Sequence, residues 1–254
     1  FHHGYTGSHH GWDGVIPIVA AAGYRCIAMD CRGACDSEHT ADGYSIAQYA
    51  QDALGMADAL GLDRFTYIGH SMGGVIGMQL ALTAQERLNR LVLVAPAPAD
   101  GVNAALAGTM HEIASDRRAR GAKDEILEER LLLTARERPI EDMLAEVDRN
   151  LGVSDGHFSD SWRELVDFRV GDRLGEITVP TLMMVGAADG LLEANLKDFQ
   201  RLPNATLHVF SRVSHGLPYE IPEEFAAVLL DFLAHGVVTA RSLQAKLREK
   251  AGVR

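Results

Sequence analysis

The sequence has little positive charge, few cysteines and no long apolar run, and each shortage excludes a class of protein. Its 254 residues include 24 basic and 35 acidic side chains, for a formal net charge of −11. We therefore expect no nucleic-acid partner and no anionic membrane surface. No apolar run reaches the roughly 20 residues of a membrane-spanning helix. The three cysteines, Cys26, Cys31 and Cys35, lie within ten residues and fit neither a disulfide framework nor a zinc spacing.

The pattern along the chain predicts one α/β core with an inserted helical segment. A chain of this length can bury about three quarters of its unfolded surface. Strand and helix patterns alternate over residues 1–97 and 177–254, whereas residues 98–176 show helical patterns only. Strands that are apolar on both faces, such as Leu91–Ala95, favour a mostly parallel sheet with helices on both sides. We predict a core formed by 1–97 and 177–254, and a helical cap formed by 98–176.

Several elements are predicted individually. Residues 24–30 favour a strand, residues 45–60 a helix with Ser45 as its N-cap, and residues 161–171 a helix of the cap. Residues 239–250 predict an amphipathic helix that packs either on the body or on a second subunit of a homodimer. Phe1 stands where an initiator Met is absent, so we expect further N-terminal residues, among which a signal peptide could lie. The expected location is otherwise the cytoplasm.

The most informative segment is Gly69-His70-Ser71-Met72-Gly73, a G-x-S-x-G pentapeptide between a predicted strand and a predicted helix. A serine hydroxyl attacks a carbonyl only when it is exposed, placed beside a base and close to hydrogen-bond donors. A sharp strand-to-helix turn provides all three conditions. We therefore predict that Ser71 is a nucleophile.

A serine nucleophile needs a base and an acid that orients the base. In this chain order the acid and then the histidine follow the serine, each after a later strand. Asp189 and His215 meet this condition, with Asp172 and Glu193 as weaker rivals for the acid. We expect the backbone N–H groups of Tyr5 and Met72 to stabilise the oxyanion.

Other candidate residues are weaker. Trp162, Phe168 and Leu191, together with the Tyr5 ring, are predicted to line the substrate pocket. His2, His3, His9 and His10 cluster in the sequence near the oxyanion turn, but they match no H-E-x-x-H metal pattern. Structural or rim roles are favoured for these histidines. His70 is expected to pack or hydrogen-bond locally. The sequence predicts neither a metal ion nor a cofactor.

Outside the cap, the chain resembles the α/β-hydrolase superfamily, in particular its capped serine hydrolases. The segments that carry the resemblance are Phe1–Tyr5 followed by Trp12, Asp30–Gly33 as a D-x-R-G loop, the pentapeptide, and His215 with Glu220 and Pro222. Against this pattern, Cys35 and Ser214 stand where relatives often have glycine, and the family's first two strands are absent. The pentapeptide corresponds to the family's nucleophile elbow, and a serine in this elbow argues against haloalkane dehalogenase and epoxide hydrolase chemistry. The segment Gly4–Gly7 lacks the motif of proline iminopeptidases.

The resemblance implies hydrolysis of a carboxylic ester or a lactone through an acyl-enzyme on Ser71, with a small molecule as substrate. Similar capped relatives use the same triad to hydrolyse a carbon–carbon bond of a vinylogous diketone, which is the alternative. Cofactor-free haloperoxidase or perhydrolase activity is a side reaction of the same scaffold. A non-enzymatic receptor that retains the triad is the rival from another class.

Overall fold

The computed structural model describes residues 1–250, apart from the side chains of Leu106 and Arg241. Its centre is a parallel sheet with the strand order β1-β2-β3-β4. The strands are β1 (Phe65–His70), β2 (Leu88–Val94), β3 (Thr181–Gly186) and β4 (Ala205–Phe210). His2 continues the sheet beyond β1, because it forms parallel bridges to Gly69 and to Met29. The carboxyl ends of the strands therefore meet at one edge.

Helices precede, connect and follow the strands. In chain order they are α1 (Ile16–Ala21), α2 (Ile46–Ala59), α3 (Met72–Ala84), α4 (Ala104–Arg120), α5 (Lys123–Leu133), α6 (Ile140–Leu151), α7 (Asp155–Asp167), α8 (Leu192–Arg201), α9 (Leu217–Glu220), α10 (Pro222–His235) and α11 (Ala240–Lys250). Short 3-10 helices cover His9–Trp12, Gln85–Arg87 and Gly171–Glu176. Among the described residues, no helix has both the length and the apolar character needed to cross a bilayer.

The middle strands β2 and β3 are largely buried on both faces, as the apolar strands predicted, whereas β4 is partly exposed. Leu91 and Leu93 of β2 pack into a cluster with residues of α2 and α3. Val92 and Val94, which alternate with them, pack into a second cluster with residues of α10. Successive side chains of a strand point to opposite faces, so a strand between two layers must be apolar throughout. This arrangement confirms the predicted α/β fold.

The prediction of a regular strand over residues 24–30 is wrong. The only residue of this segment that pairs is Met29, in the isolated bridge to His2. Backbone hydrogen bonds from Phe1 N to Ile27 O (2.7 Å) and from Met29 N to Phe1 O (3.2 Å) hold the two segments together. Pairing over residues 24–30 is therefore confined to the bridge between Met29 and His2.

The helical predictions differ from the structure mainly at helix ends. Ser45 does cap α2, since its Oγ accepts a hydrogen bond from Gln48 N. The helix predicted over residues 161–171 is displaced, because α7 begins after Ser154, whose side chain caps it through His157 N, and ends before Phe168. Between β2 and β3 the chain forms α4 to α7, within the predicted cap of residues 98–176. The last four residues of the predicted core, 251–254, lie outside the described residues.

The predicted C-terminal helix is present as α11. Leu243 and Leu247, expected to form its apolar side, are 51% and 68% exposed. Neither leucine is therefore buried against the described part of the chain.

Candidate active site

Ser71 lies in the turn between β1 and α3 and has a strained backbone. Its φ is 54° and its ψ is −112°, a conformation that residues with a Cβ rarely adopt. A Cβ on Gly69 would collide with the carbonyl oxygen of Gly73, and a Cβ on Gly73 would collide with that of His2. Both glycines are therefore required by close approach of the backbone. The turn presents Ser71 at the carboxyl edge of the sheet, as the pentapeptide predicted.

The structure brings Asp189 and His215 into direct contact. Asp189 follows β3 and His215 follows β4, and the distance from His215 Nδ1 to Asp189 Oδ2 is 2.9 Å. The carboxylate also accepts a hydrogen bond from Leu191 N at 2.9 Å. Burial alone would raise the pKa of Asp189, but these hydrogen bonds and the charge of His215 hold that pKa below its ordinary value. An ionised carboxylate can only accept, so His215 Nδ1 carries the proton and Nε2 is free to act as a base.

The two rival acids have other surroundings. The carboxyl group of Glu193 is 85% exposed and pairs with Lys197. Asp172 is an exposed residue of the 3-10 helix Gly171–Glu176. Neither carboxyl group has a hydrogen bond to His215 in the described part of the chain.

His70 connects the elbow to the histidine loop. Its Nε2 lies 2.8 Å from the backbone oxygen of His215, and the two imidazole rings are 4.9 Å apart. Burial, followed by repulsion from His215, lowers the pKa of His70 to about 3. The His70 ring is therefore neutral and donates from Nε2 to the carbonyl oxygen. This contact matches the local role expected for His70, and it places His215 beside the residue that precedes Ser71.

Two sets of contacts fix the position of the loop that carries His215. Ser214, where relatives often have glycine, uses its hydroxyl and its N–H to bind the carboxylate of Glu220. A Cβ on Gly186, at the end of β3, would collide with the backbone oxygens of Val213 and Ser214. The end of β3 and the loop that carries His215 are therefore in backbone contact. This contact fixes the position of His215 relative to the carboxyl edge of the sheet.

Tyr5 and Met72 each offer an N–H group at this edge. Met72 is the first residue of α3, and its N–H has no acceptor within the helix. Within residues 1–250, neither this N–H nor that of Tyr5 has a hydrogen-bond partner. The turn that carries Tyr5 is close to the elbow, because a Cβ on Gly4 would lie 3.0 Å from Ser71 Cβ. Free donors at a helix start and in an adjacent turn suit a developing oxyanion.

Two buried histidines hold this turn, and sequence reasoning gave them no specific role. His3 Nε2 accepts from Cys31 N at 2.9 Å, so its Nδ1 carries the proton and donates to Gly4 O at 2.7 Å. His2 Nδ1 lies 2.5 Å from the Tyr67 hydroxyl, which itself donates to Gly73 O. The signal in the sequence was only the proximity of His2 and His3 to the turn.

The helical segment between β2 and β3 contacts the same turn. The Tyr5 hydroxyl donates to Phe158 O of α7, and the Tyr5 ring lies 5.2 Å from the ring of Trp162. Asn150 of α6 donates to Thr6 O. Of the predicted lining residues, Tyr5 and Trp162 are thus neighbours, and Leu191 is bonded to the Asp189 carboxylate through its N–H. Phe168 is 9% exposed and belongs to the apolar core.

A cavity of about 700 Å³ lies elsewhere, and it lacks the chemistry of a hydrolytic site. Its lining includes Arg64, Asn89 and Pro180, which are close to the amino ends of β1, β2 and β3. None of Ser71, Asp189 and His215 lines it. The carboxyl edge of the sheet is therefore the candidate active site.

Comparisons with known proteins agree with the α/β fold. The model of the alpha/beta hydrolase fold family matches residues 1–221. The chain is 31% identical to a 2-hydroxy-6-oxononadienedioate/2-hydroxy-6-oxononatrienedioate hydrolase of Dechloromonas aromatica, over 87% of this chain and 80% of that protein. It is 32% identical to a 2-hydroxymuconate semialdehyde hydrolase of Pseudomonas putida, over 83% of this chain and 77% of that protein. Among solved structures, Est816, described as an N-acyl homoserine lactone degrading enzyme, superposes with a TM-score of 0.72 at 27% identity, covering 91% of this chain and 90% of that one.

Proposed function

Because the chain belongs to the α/β-hydrolase family, we propose that it is a serine hydrolase that cleaves a carbon–carbon bond of a vinylogous diketone acid. Ser71 is the nucleophile, His215 the base and Asp189 the acid that orients it. The helical segment of residues 98–176 is the cap that covers the substrate. Hydrolysis as the reaction class follows from the family and from the names of the relatives.

In the proposed reaction His215 Nε2 takes the proton of Ser71 Oγ, and the oxygen attacks the ketone carbon of the substrate. The N–H groups of Tyr5 and Met72 bind the resulting oxyanion. When the oxyanion collapses, the carbon–carbon bond breaks, and its electron pair passes into the conjugated carbonyl system. His215 returns the proton to the leaving fragment. Water, activated by His215, then hydrolyses the acyl-enzyme and releases a carboxylic acid.

The observation that carries the proposal is the 2.9 Å contact between His215 Nδ1 and Asp189 Oδ2, in a loop that contacts His70, the residue before the strained Ser71. This contact sets the tautomer in which Nε2 accepts a proton. The names of the relatives support the choice of substrate class. Those at 31% and 32% identity are named for 2-hydroxy-6-oxo acids and for a muconate semialdehyde, not for esters. They favour hydrolysis of a carbon–carbon bond over the ester hydrolysis that the sequence by itself favours.

Ester or lactone hydrolysis is the second candidate. The structural similarity to the lactone-degrading enzyme at 27% identity supports it. The same serine, base and oxyanion donors would act, because an ester carbonyl and a ketone carbonyl both give a tetrahedral oxyanion. The two reactions differ only in the leaving atom, which is oxygen in one and carbon in the other.

The test compares the kcat/KM values of the full chain for three candidate substrates. These are 2-hydroxy-6-oxononadienedioate, p-nitrophenyl acetate and an N-acyl homoserine lactone. We expect the dienedioate to exceed both others by about 100-fold, a difference of roughly 2.7 kcal/mol in transition-state binding. The variant Ser71→Ala is the matched control and should lose up to ~10⁶-fold in turnover of the dienedioate.

A higher kcat/KM for the ester or for the lactone would replace the proposal with the second candidate. If Ser71 reacted with a fluorophosphonate while none of the three substrates, nor 2-hydroxymuconate semialdehyde, was turned over, the receptor interpretation would stand instead.

A further inference from the structure

His9, His10 and Cys35 form a cluster outside the candidate active site. His9 and His10 begin the 3-10 helix His9–Trp12, and Cys35 lies in the loop that follows Asp30. One ring nitrogen of each histidine and the sulfur of Cys35 all lie within 4.8 Å of one another. The two imidazole rings are tilted by 34° to each other, with centroids 4.0 Å apart. Two imidazoles and a thiol are donors that Zn²⁺ and similar metals prefer.

Each of the two histidines is oriented by a carboxylate. The distance from His9 Nδ1 to Asp30 Oδ2 is 2.8 Å, and that from His10 Nδ1 to Asp13 Oδ2 is also 2.8 Å. Asp30 further accepts a hydrogen bond from His9 N at 2.6 Å, and its carboxyl group is only 5% exposed. Ionised carboxylates accept hydrogen bonds, so both Nδ1 atoms carry protons and Nε2 is the nitrogen left to bind a metal. Histidines that bind metals are held in this way by a carboxylate behind the ring.

Cys35 has an unusual backbone for its residue type. Its φ is 45°, in the left-handed region that favours glycine. The carboxylates of Asp30 and Asp36 lie in the same group of neighbouring donor atoms as His9 and Cys35. Their negative charge favours a bound cation at this place.

We propose that His9, His10 and Cys35 bind one divalent transition-metal ion of the zinc class. Neighbouring ligand atoms of a tetrahedral zinc site are about 3.5 Å apart, so side-chain rotations that draw the three donors about 1 Å closer complete the site. On binding, the S–H bond of Cys35 breaks, its proton passes to solvent, and a metal–thiolate bond forms. No electron is transferred. A water molecule takes the fourth position.

The site would link two loops near the oxyanion turn. Asp30 Oδ1 lies 4.0 Å from Nε2 of His3, the residue whose ring supports Gly4. An ion held by both loops would therefore stabilise the folded chain by mass action, with an unfolding temperature that rises with metal concentration.

The test uses Co²⁺ as a spectroscopic probe of the full chain after dialysis against a chelator. We expect one equivalent of Co²⁺ to bind, with a thiolate-to-cobalt charge-transfer band that Zn²⁺ abolishes by displacement. Cys35→Gly should remove the band, and it should fold because glycine suits the positive φ. Cys26→Ser is the matched control, since Cys26 is also a half-buried free cysteine but lies outside the cluster, and it should keep the band.

A second variant tests the carboxylate behind His10. Asp13 is exposed, so Asp13→Asn should fold normally and weaken Co²⁺ affinity by about 10–100-fold. The proposal is overturned if wild-type protein shows no charge-transfer band in excess Co²⁺, or if Cys35→Gly retains both the band and the affinity. Neither readout depends on hydrolytic activity.

Discussion

The buried His157 makes the stability of the protein depend on pH. This residue of α7 is fully buried, with Nδ1 2.8 Å from the Tyr49 hydroxyl. Burial, and then repulsion from His3, lower the pKa of His157 from 6.5 to about 3. Below pH 6.5 the unfolded chain binds a proton at this residue, whereas the folded chain does not do so until about pH 3. The stability that His157 contributes is therefore lost progressively as the pH falls through this window.

The size of the effect follows from the pKa difference. At pH 5 the solution is about 1.5 pH units below the unfolded pKa, and each unit corresponds to ~1.36 kcal/mol. His157 alone should thus lower the free energy of unfolding by about 2 kcal/mol between pH 7 and pH 5. Urea unfolding followed by circular dichroism at the two pH values measures the total change, to which the buried His70 also contributes, provided that the m-value is unchanged. The share of His157 is the difference between wild type and a variant that lacks this histidine.

The variant His157→Gln removes the titrating group. The free energy of unfolding of this variant at pH 7 differs from that of wild type. Between pH 7 and pH 5, however, the variant should lose about 2 kcal/mol less of its free energy of unfolding than wild type does. His235→Gln, at a side chain that is 72% exposed, is the control and should leave the pH dependence as it is in wild type. If His157→Gln lost as much stability as wild type over this interval, the histidine would be protonated in the folded chain and the reasoning would be wrong.

Four further substitutions test the candidate site and the backbone of the fold. Asp189→Asn should keep the fold but lower kcat for the substrate by about 10⁴-fold, because the wrong tautomer of His215 is favoured; a fall under tenfold would contradict the assigned role. Gly4→Ala, whose Cβ would lie 3.0 Å from Ser71 Cβ, should lower kcat by about 10²-fold, and an unchanged kcat would show that the turn can retreat. Gly69→Ala should cost more than about 3 kcal/mol of stability, measured by urea unfolding, since the new Cβ meets backbone. Gly55→Ala, in α2 with nothing within 4 Å of the new Cβ, should instead stabilise by roughly 0.5–1 kcal/mol, and equal effects of the two would refute the steric reason.

The sequence determined the features that depend on neighbouring residues. The glycines on either side of Ser71 identify the elbow, because only they allow the backbone to approach so closely there. Ser45 marks the start of α2, because an N-cap hydroxyl satisfies an N–H group three residues away. Ser154 is an N-cap of the same kind and marks the start of α7, which the apolar pattern alone places too late in the chain.

The tertiary structure decided what depends on residues far apart in the chain. Sequence order proposes Asp189 and His215 as partners, but only the parallel strands that precede them bring the two side chains to 2.9 Å. The cluster of His9 and Cys35 has no signal in residue spacing, because it forms where two loops meet across Asp30. Local patterns are fixed by sterics and hydrogen bonds within a turn or two of the chain. Contacts between distant segments require the packed sheet, which the sequence specifies only through its whole length.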